Sequence, residues 1–158
     1  MASKQRVGQP WWRAVKTLLG LLLRRPLVGV CVIPILPDGT VVLMQRKDSG
    51  HWGFPGGLVD WGETVTMAAQ RELAEETGLT MTQTGRLVGV YSSPERDDRF
   101  HSICVTLEVY ATGTPRVNDP KEALAVSSFE WRSLKSLTLA HDHAQHMEDY
   151  LASRTVIL

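Results

Sequence analysis

Residues Arg71-Glu72-Leu73-Ala74-Glu75-Glu76 put three carboxylates and one guanidinium into six consecutive positions. At about 100° per residue on a helix, Glu72, Glu75 and Glu76 share an arc of about 100° on one face. Like charges four apart cost an isolated helix about 0.2–0.5 kcal/mol per pair, so a sequence that stacks them is serving chemistry before stability. Three hard oxygen donors suit Mg²⁺ or Mn²⁺, whereas zinc would want His or Cys. The competing reading is a solvated acidic face with Arg71 as a local ion-pair partner.

The surrounding elements must hold that face in place. A helix is expected over about Glu63 to Thr77, with Val65, Ala69 and Leu73 as an apolar stripe and Gly78 as its terminator. Before it, Gly50-His51-Trp52-Gly53-Phe54-Pro55-Gly56-Gly57 reads as a shaped loop. Leu27–Leu36 and Thr40–Gln45 read as a hairpin around the turn Pro37-Asp38-Gly39, with Pro34 marking an edge or bulge. Further strands are expected at Arg86–Ser92, His101–Ala111 and Val126–Trp131, with a closing helix at Asp142–Ser153. The expectation is an α/β domain with helices over a mixed sheet, spanning residues 26–158.

Composition fits that class. The 158 residues are 43% hydrophobic, enough for one core without disulfides or a structural metal. Cys31 and Cys104 show no CxxC or zinc-ligand spacing, which points to free thiols in a reducing, cytoplasmic compartment. The formal net charge of zero hides an asymmetry: residues 1–25 carry six basic side chains and no acid, and the remainder carries a compensating excess of acids. An acidic domain without a helix-turn-helix segment argues against nucleic acid as a partner. Within the basic arm the uninterrupted apolar run, Thr17–Leu23, is seven residues, far below the roughly 20 needed to span a bilayer. Residues 11–25 are expected to form a short extra helix ending before Pro26. It would pack on the domain or on a second subunit, giving a homodimer, or make peripheral contact with an anionic membrane through Trp11 and Trp12.

The spacing around the carboxylates is more specific than the carboxylates themselves. From Gly57 there are five residues to Glu63 and seven more to Arg71, and the run then continues to Gly78-Leu79. This resembles the Nudix box, G-x5-E-x7-R-E-U-x-E-E-x-G-U with U aliphatic, at every specified position. The resemblance implies an α/β/α sandwich around a mixed sheet and hydrolysis of the pyrophosphate in a nucleoside diphosphate derivative with a divalent metal. It further implies Glu72, Glu75 and Glu76 as metal ligands, the Gly56 carbonyl as another, and Arg71 orienting the carboxylates with Glu63 as its partner. Gly56 and Gly57 would let backbone approach a phosphate or metal closely. The catalytic base is left open by position alone: Glu122 is the candidate, with Asp119, Glu95, Asp97 and Asp98 as competitors.

For the substrate, the stretch Ser92-Ser93-Pro94-Glu95-Arg96-Asp97-Asp98-Arg99-Phe100-His101 is similar to Nudix members acting on ADP-ribose, with Pro94 placed 15 residues after Leu79. Arg96 and Arg99 are expected to grip phosphate, the competing reading being a charged hairpin loop with mutual Arg–Asp pairing. Trp52, Phe54 and Tyr91 are candidates to stack on a base or, equally, to fill the core. The alternative substrates are ordinary or oxidised nucleoside triphosphates; a non-catalytic nucleotide-binding module is the alternative class. His143 and His146 stand three apart on the last helix, a metal-compatible spacing. With no third ligand in sight they read as exposed, and Trp131 reads as core at a strand end.

Overall fold

Residues Val30-Cys31-Val32-Ile33 are apolar at every position, which a strand tolerates only if both of its faces are covered. The computed structural model, which describes residues 25–96 and 100–158, covers both. β1 (Leu27–Ile35) sends Val30 and Val32 to a core with Ala69 and Leu73, and Cys31 and Ile33 to a second core with Phe54 and Met147. The chain continues through β2 (Val41–Arg46), β3 (Trp52–Gly53), β4 (Gly56–Leu58), α1 (Val65–Thr77), β5 (Thr80–Tyr91), β6 (Ser102–Thr112) and β7 (Ala123–Phe129). A short 3-10 helix (Trp131–Ser136), α2 (His143–Leu151) and β8 (Val156–Ile157) complete it.

Among the described residues the strands form one mixed sheet in the order β3-β2-β1-β6-β5-β8, with β4 beside β1 and β7 beside β2. β1 runs parallel to β6, while β5 runs antiparallel to β6. α1 lies over one face and α2 over the other, the expected α/β/α sandwich. Among the described residues, no helix is long and apolar enough to cross a membrane. The arm's expected helix and its membrane or subunit contacts lie outside the described residues.

Three local expectations change. Pro34 sits inside β1 opposite Val109, in an interior strand. Its missing N–H falls where β1 changes partners, between the Val32 amide's bond to Pro55 and the start of β2 pairing at Ile35. The glycine loop contains two short strands, β3 and β4, because Gly56-Gly57-Leu58 pairs with Cys31-Val30-Gly29. Trp131 opens the 3-10 helix and is only half-buried, its ring stacked on Tyr150 at 4.7 Å.

Candidate functional site

α1 starts where the side chain of Thr64 accepts a hydrogen bond from the Met67 amide, and it ends at Gly78 in a left-handed conformation with φ 68°. Ala68, Ala69 and Leu73 are buried against the sheet, which turns Glu72 and Glu76 toward the β4 glycines and leaves Glu75 at the solvent edge. A β-carbon on Gly57 would collide with the Glu72 carboxylate, and one on Gly56 would collide with the Val30 carbonyl. At Gly56 the obstruction is backbone and glycine is required; at Gly57 it is the end of one side chain, so a β-carbon would displace the Glu72 carboxylate.

Arg71 ties the cluster together. Its Nε and Nη2 donate to the two oxygens of Glu63 at 2.8 and 2.9 Å, a fork-to-fork pair. Nη1 reaches Glu72 at 2.8 Å and Glu75 at 3.3 Å, and Nη2 also donates to the Leu58 carbonyl at 3.0 Å. Hydrogen bonds from Arg71, helped by the Asp60 amide, pull the Glu63 carboxyl down to about 2.

Glu76 has the opposite environment. Only 2% exposed, it accepts a hydrogen bond from the Gly56 amide at 2.8 Å through Oε2, while Oε1 has no partner. Burial pushes its carboxyl up to about 8 against that single hydrogen bond, and burial also raises Glu72. A buried, unpartnered carboxylate oxygen is costly unless a cation completes it. The clustered oxygens, the orphan Oε1 and the close backbone fit a hard divalent cation.

Of the α1 carboxylates, Glu72 opens onto a cleft of about 380 Å³. Its lining includes Glu72, Glu122, Arg46, Arg96, Ser102 and His143. Glu122 is exposed, and its charge adds to the upward shift of both Glu72 and Glu76. Asp119 is occupied in a local turn, accepting from the Lys121 amide at 2.8 Å, and Glu95 lines a separate cavity. Asp97, Asp98 and Arg99 lie outside the described residues.

The remaining predicted residues divide. Arg96 does reach the cleft, but its fork is taken by Asp142 at 2.8 and 2.9 Å, and its third nitrogen by Ser102 at 2.6 Å. Pro94 forms a turn away from the cleft wall. Trp52 packs edge-on against Phe129, with centroids 4.9 Å apart, and belongs to the second core. Phe54 and Tyr91 are buried in that core, although Phe54 also borders the cleft. His143 and His146 are not exposed: they are 7% and 0% accessible, because this face of α2 packs on the sheet and His146 stacks on Tyr91 at 3.8 Å. Sequence reasoning missed Arg46, Ser102 and Asp142. No motif marks them: strand register brings Arg46 and Ser102 to the cleft, and the docking of α2 brings Asp142 against Arg96.

A mixed-sheet sandwich that turns a carboxylate-bearing helix onto a glycine strand defines a class of hydrolase. The family profile described as the NUDIX domain matches residues 25–153, and the chain belongs to that family. It is similar to an ADP-ribose pyrophosphatase of Methanocaldococcus jannaschii, with 40% identity over 136 residues covering 82% of this chain and 76% of the relative. It is also similar to a solved MutT NUDIX hydrolase from Burkholderia pseudomallei, at 31% identity and TM-score 0.70, covering 80% of this chain and 98% of that one. The NUDIX domain of Shewanella oneidensis NrtR, solved with ADP ribose, shares the fold at TM-score 0.74 and 22% identity, over 88% of this chain and 97% of that one. The protein is a Nudix pyrophosphohydrolase, a class generally dependent on divalent metal.

Proposed function

We propose that the chain hydrolyses ADP-ribose to AMP and ribose 5-phosphate, with Mg²⁺ as the metal and Mn²⁺ able to replace it. The observation that carries this is the 40% identity to an ADP-ribose pyrophosphatase across most of both chains. The cleft, lined by Glu72 and Glu122 together with Arg46 and Arg96, supports a substrate carrying a diphosphate.

Glu72, Glu75, Glu76 and the Gly56 carbonyl would hold the metal. When bound, it would supply charge neutralisation to the pyrophosphate oxygens as the P–O–P bridge breaks. Arg71, gripped by Glu63, fixes Glu72 in its rotamer and pulls Glu75 toward it. Gly57 keeps the backbone clear of the Glu72 carboxylate. Glu122, exposed in the cleft wall near Glu72, is the candidate to take the proton from the attacking water. Arg46, paired with Asp48 at 2.6 Å, places a cation beside Glu122 at the same wall. Two free, buried thiols suit a reducing, cytoplasmic compartment.

Purified protein with Mg²⁺ and a panel of ADP-ribose, other nucleoside diphosphate sugars and dNTPs tests the reading. AMP and ribose 5-phosphate in equal amounts support it. Inorganic pyrophosphate from dNTPs, with ADP-ribose left intact, overturns it in favour of a triphosphate pyrophosphohydrolase. Nucleotide binding without turnover would indicate the non-catalytic module.

A further inference from the structure

The second core holds a cluster that pyrophosphate hydrolysis does not use. Cys31 of β1 and His143 and His146 of α2 each point a ligating atom inward, and the three atoms lie within 4.8 Å of one another. Cys31 Sγ is 4.0 Å from His143 Nε2, and the two imidazoles are 5.3 Å apart. All three side chains are buried, Cys31 at 2% exposure. The His146 Nε2 atom, in a residue with no exposed surface, has no hydrogen-bond partner even though an Asp142 oxygen stands 3.3 Å away. The spacing of the two histidines on α2 leaves a third ligand to be found, and the fold brings it from β1, 112 residues from His143.

We propose that Cys31, His143 and His146 form a second metal site, selective for a thiophilic divalent cation of the zinc type. One thiolate and two imidazoles make a soft and borderline donor set that discriminates against Mg²⁺, while the α1 carboxylates make a hard set that favours it. Burial lowers the basicity of both imidazoles and so favours their neutral form. Cys31 and His143 also line the cleft, which gives an ion a route to the site. Asp142, held by Arg96, adds a negative charge 3.3 Å from His146 Nε2 at the edge of the site. The Cys104 thiol, buried and lining the same cleft, is a candidate for a fourth ligand.

Binding has a definite proton balance. The Phe54 amide donates to His143 Nδ1 at 3.0 Å, so the metal-free ring carries its proton on Nε2, facing Cys31. Loading therefore releases the Cys31 thiol proton to solvent and shifts the His143 proton from Nε2 to Nδ1, which opens the Phe54 contact. Occupancy rises with pH for that reason. A filled site would tie α2 to β1 and hold His143 at the cleft wall.

The test uses the full chain stripped by chelator, with Mg²⁺ in large excess to fill the carboxylates, titrated with Co²⁺ as a zinc surrogate. The expected result is one equivalent bound with a thiolate-to-cobalt charge-transfer band, bleached by Zn²⁺. The band should vanish in Cys31→Ser and persist in Glu72→Gln and Glu76→Gln. Absence of the band in the wild type, its survival in Cys31→Ser, or its loss in Glu72→Gln would each overturn the proposal. X-ray absorption at bound Zn²⁺ in the wild type needs no variant to fold: sulfur and nitrogen neighbours support the site, and an all-oxygen shell rejects it. None of these readouts depends on turnover, so they stand or fall apart from the ADP-ribose reading.

Discussion

Gly57 and Glu72 adjoin so closely that no β-carbon fits between them. The contact joins β4 to α1 at the point where the carboxylate must stay ordered. Gly57→Ala would push Glu72 off its rotamer and away from Arg71. The obstructing atoms are the end of one side chain, so the fold should survive with a small change in melting temperature. A displacement of about 1 Å at a reacting centre costs on the order of 10²-fold in rate. Steady-state kinetics on ADP-ribose should show kcat/KM down by roughly that factor, with Mg²⁺ affinity weakened. Unchanged kinetics would mean that Glu72 does not hold metal.

Arg71→Lys separates charge from shape. Arg71 makes five hydrogen bonds in a planar fork, two to Glu63, one each to Glu72, Glu75 and the Leu58 carbonyl. Lysine keeps the charge but cannot span Glu63 and Glu72 together. The cluster is partly exposed, so the stability loss should be about 1 kcal/mol, read from urea unfolding. Activity should fall far more than stability, with Glu63→Gln showing a weaker form of the same pattern. Equal, small effects on both would reduce Arg71 to a surface ion pair.

Glu76 makes the metal-free protein sensitive to pH in a definite direction. Its folded carboxyl is raised from an ordinary 4.5 to about 8, so between those values the folded state holds a proton that the unfolded state lacks. That stability is complete at low pH and is lost as pH rises through about 8. His143 and His146 are lowered and act in the other sense below their ordinary 6.5, which leaves pH 6.5 to 8 as the clean window. Across it, metal-free wild type should lose roughly 1.5 kcal/mol relative to Glu76→Gln. Added Mg²⁺ should reverse the trend, stabilising more as pH rises. Parallel curves for wild type and variant would show that Glu76 is already ionised.

The helix, its glycine stop and the Arg71–Glu63 pair were legible in sequence because each is local: an apolar stripe, a terminator at Gly78 and a partner eight residues away. The substrate-facing half was not. Arg96 reads as a free phosphate grip because its partner Asp142 lies 46 residues downstream, and nothing local marks the pair. Trp52 sits in a loop rich in chemistry-bearing residues yet turns to Phe129, a choice made by pairing between β2 and β7. His143 and His146 read as exposed because a nine-residue helix with few large apolar residues gives little sign of which face packs. Its buried face includes His143, His146, Met147 and Asp149, and the polar members find partners distant in sequence: the Phe54 amide for His143, Thr106 for His146 and Tyr91 for Asp149.

Arg96→Lys tests what the Asp142 pair does for substrate. Arg96 anchors the segment after Pro94 to α2 through two bonds to Asp142, and to the start of β6 through Ser102. A lysine can satisfy one of those oxygens but not both together with Ser102, so the segment loses its fixed position beside the cleft. The carboxylates on α1 are untouched by the change. The expected outcome is a KM for ADP-ribose raised about tenfold with kcat within about threefold of wild type, because uniform binding is lost while the reacting end is preserved. Asp142→Asn should give the same split, since it breaks the same anchor from the other side. A fall in kcat at constant KM would instead place Arg96 against the reacting phosphate, with the Asp142 pair opening when substrate binds.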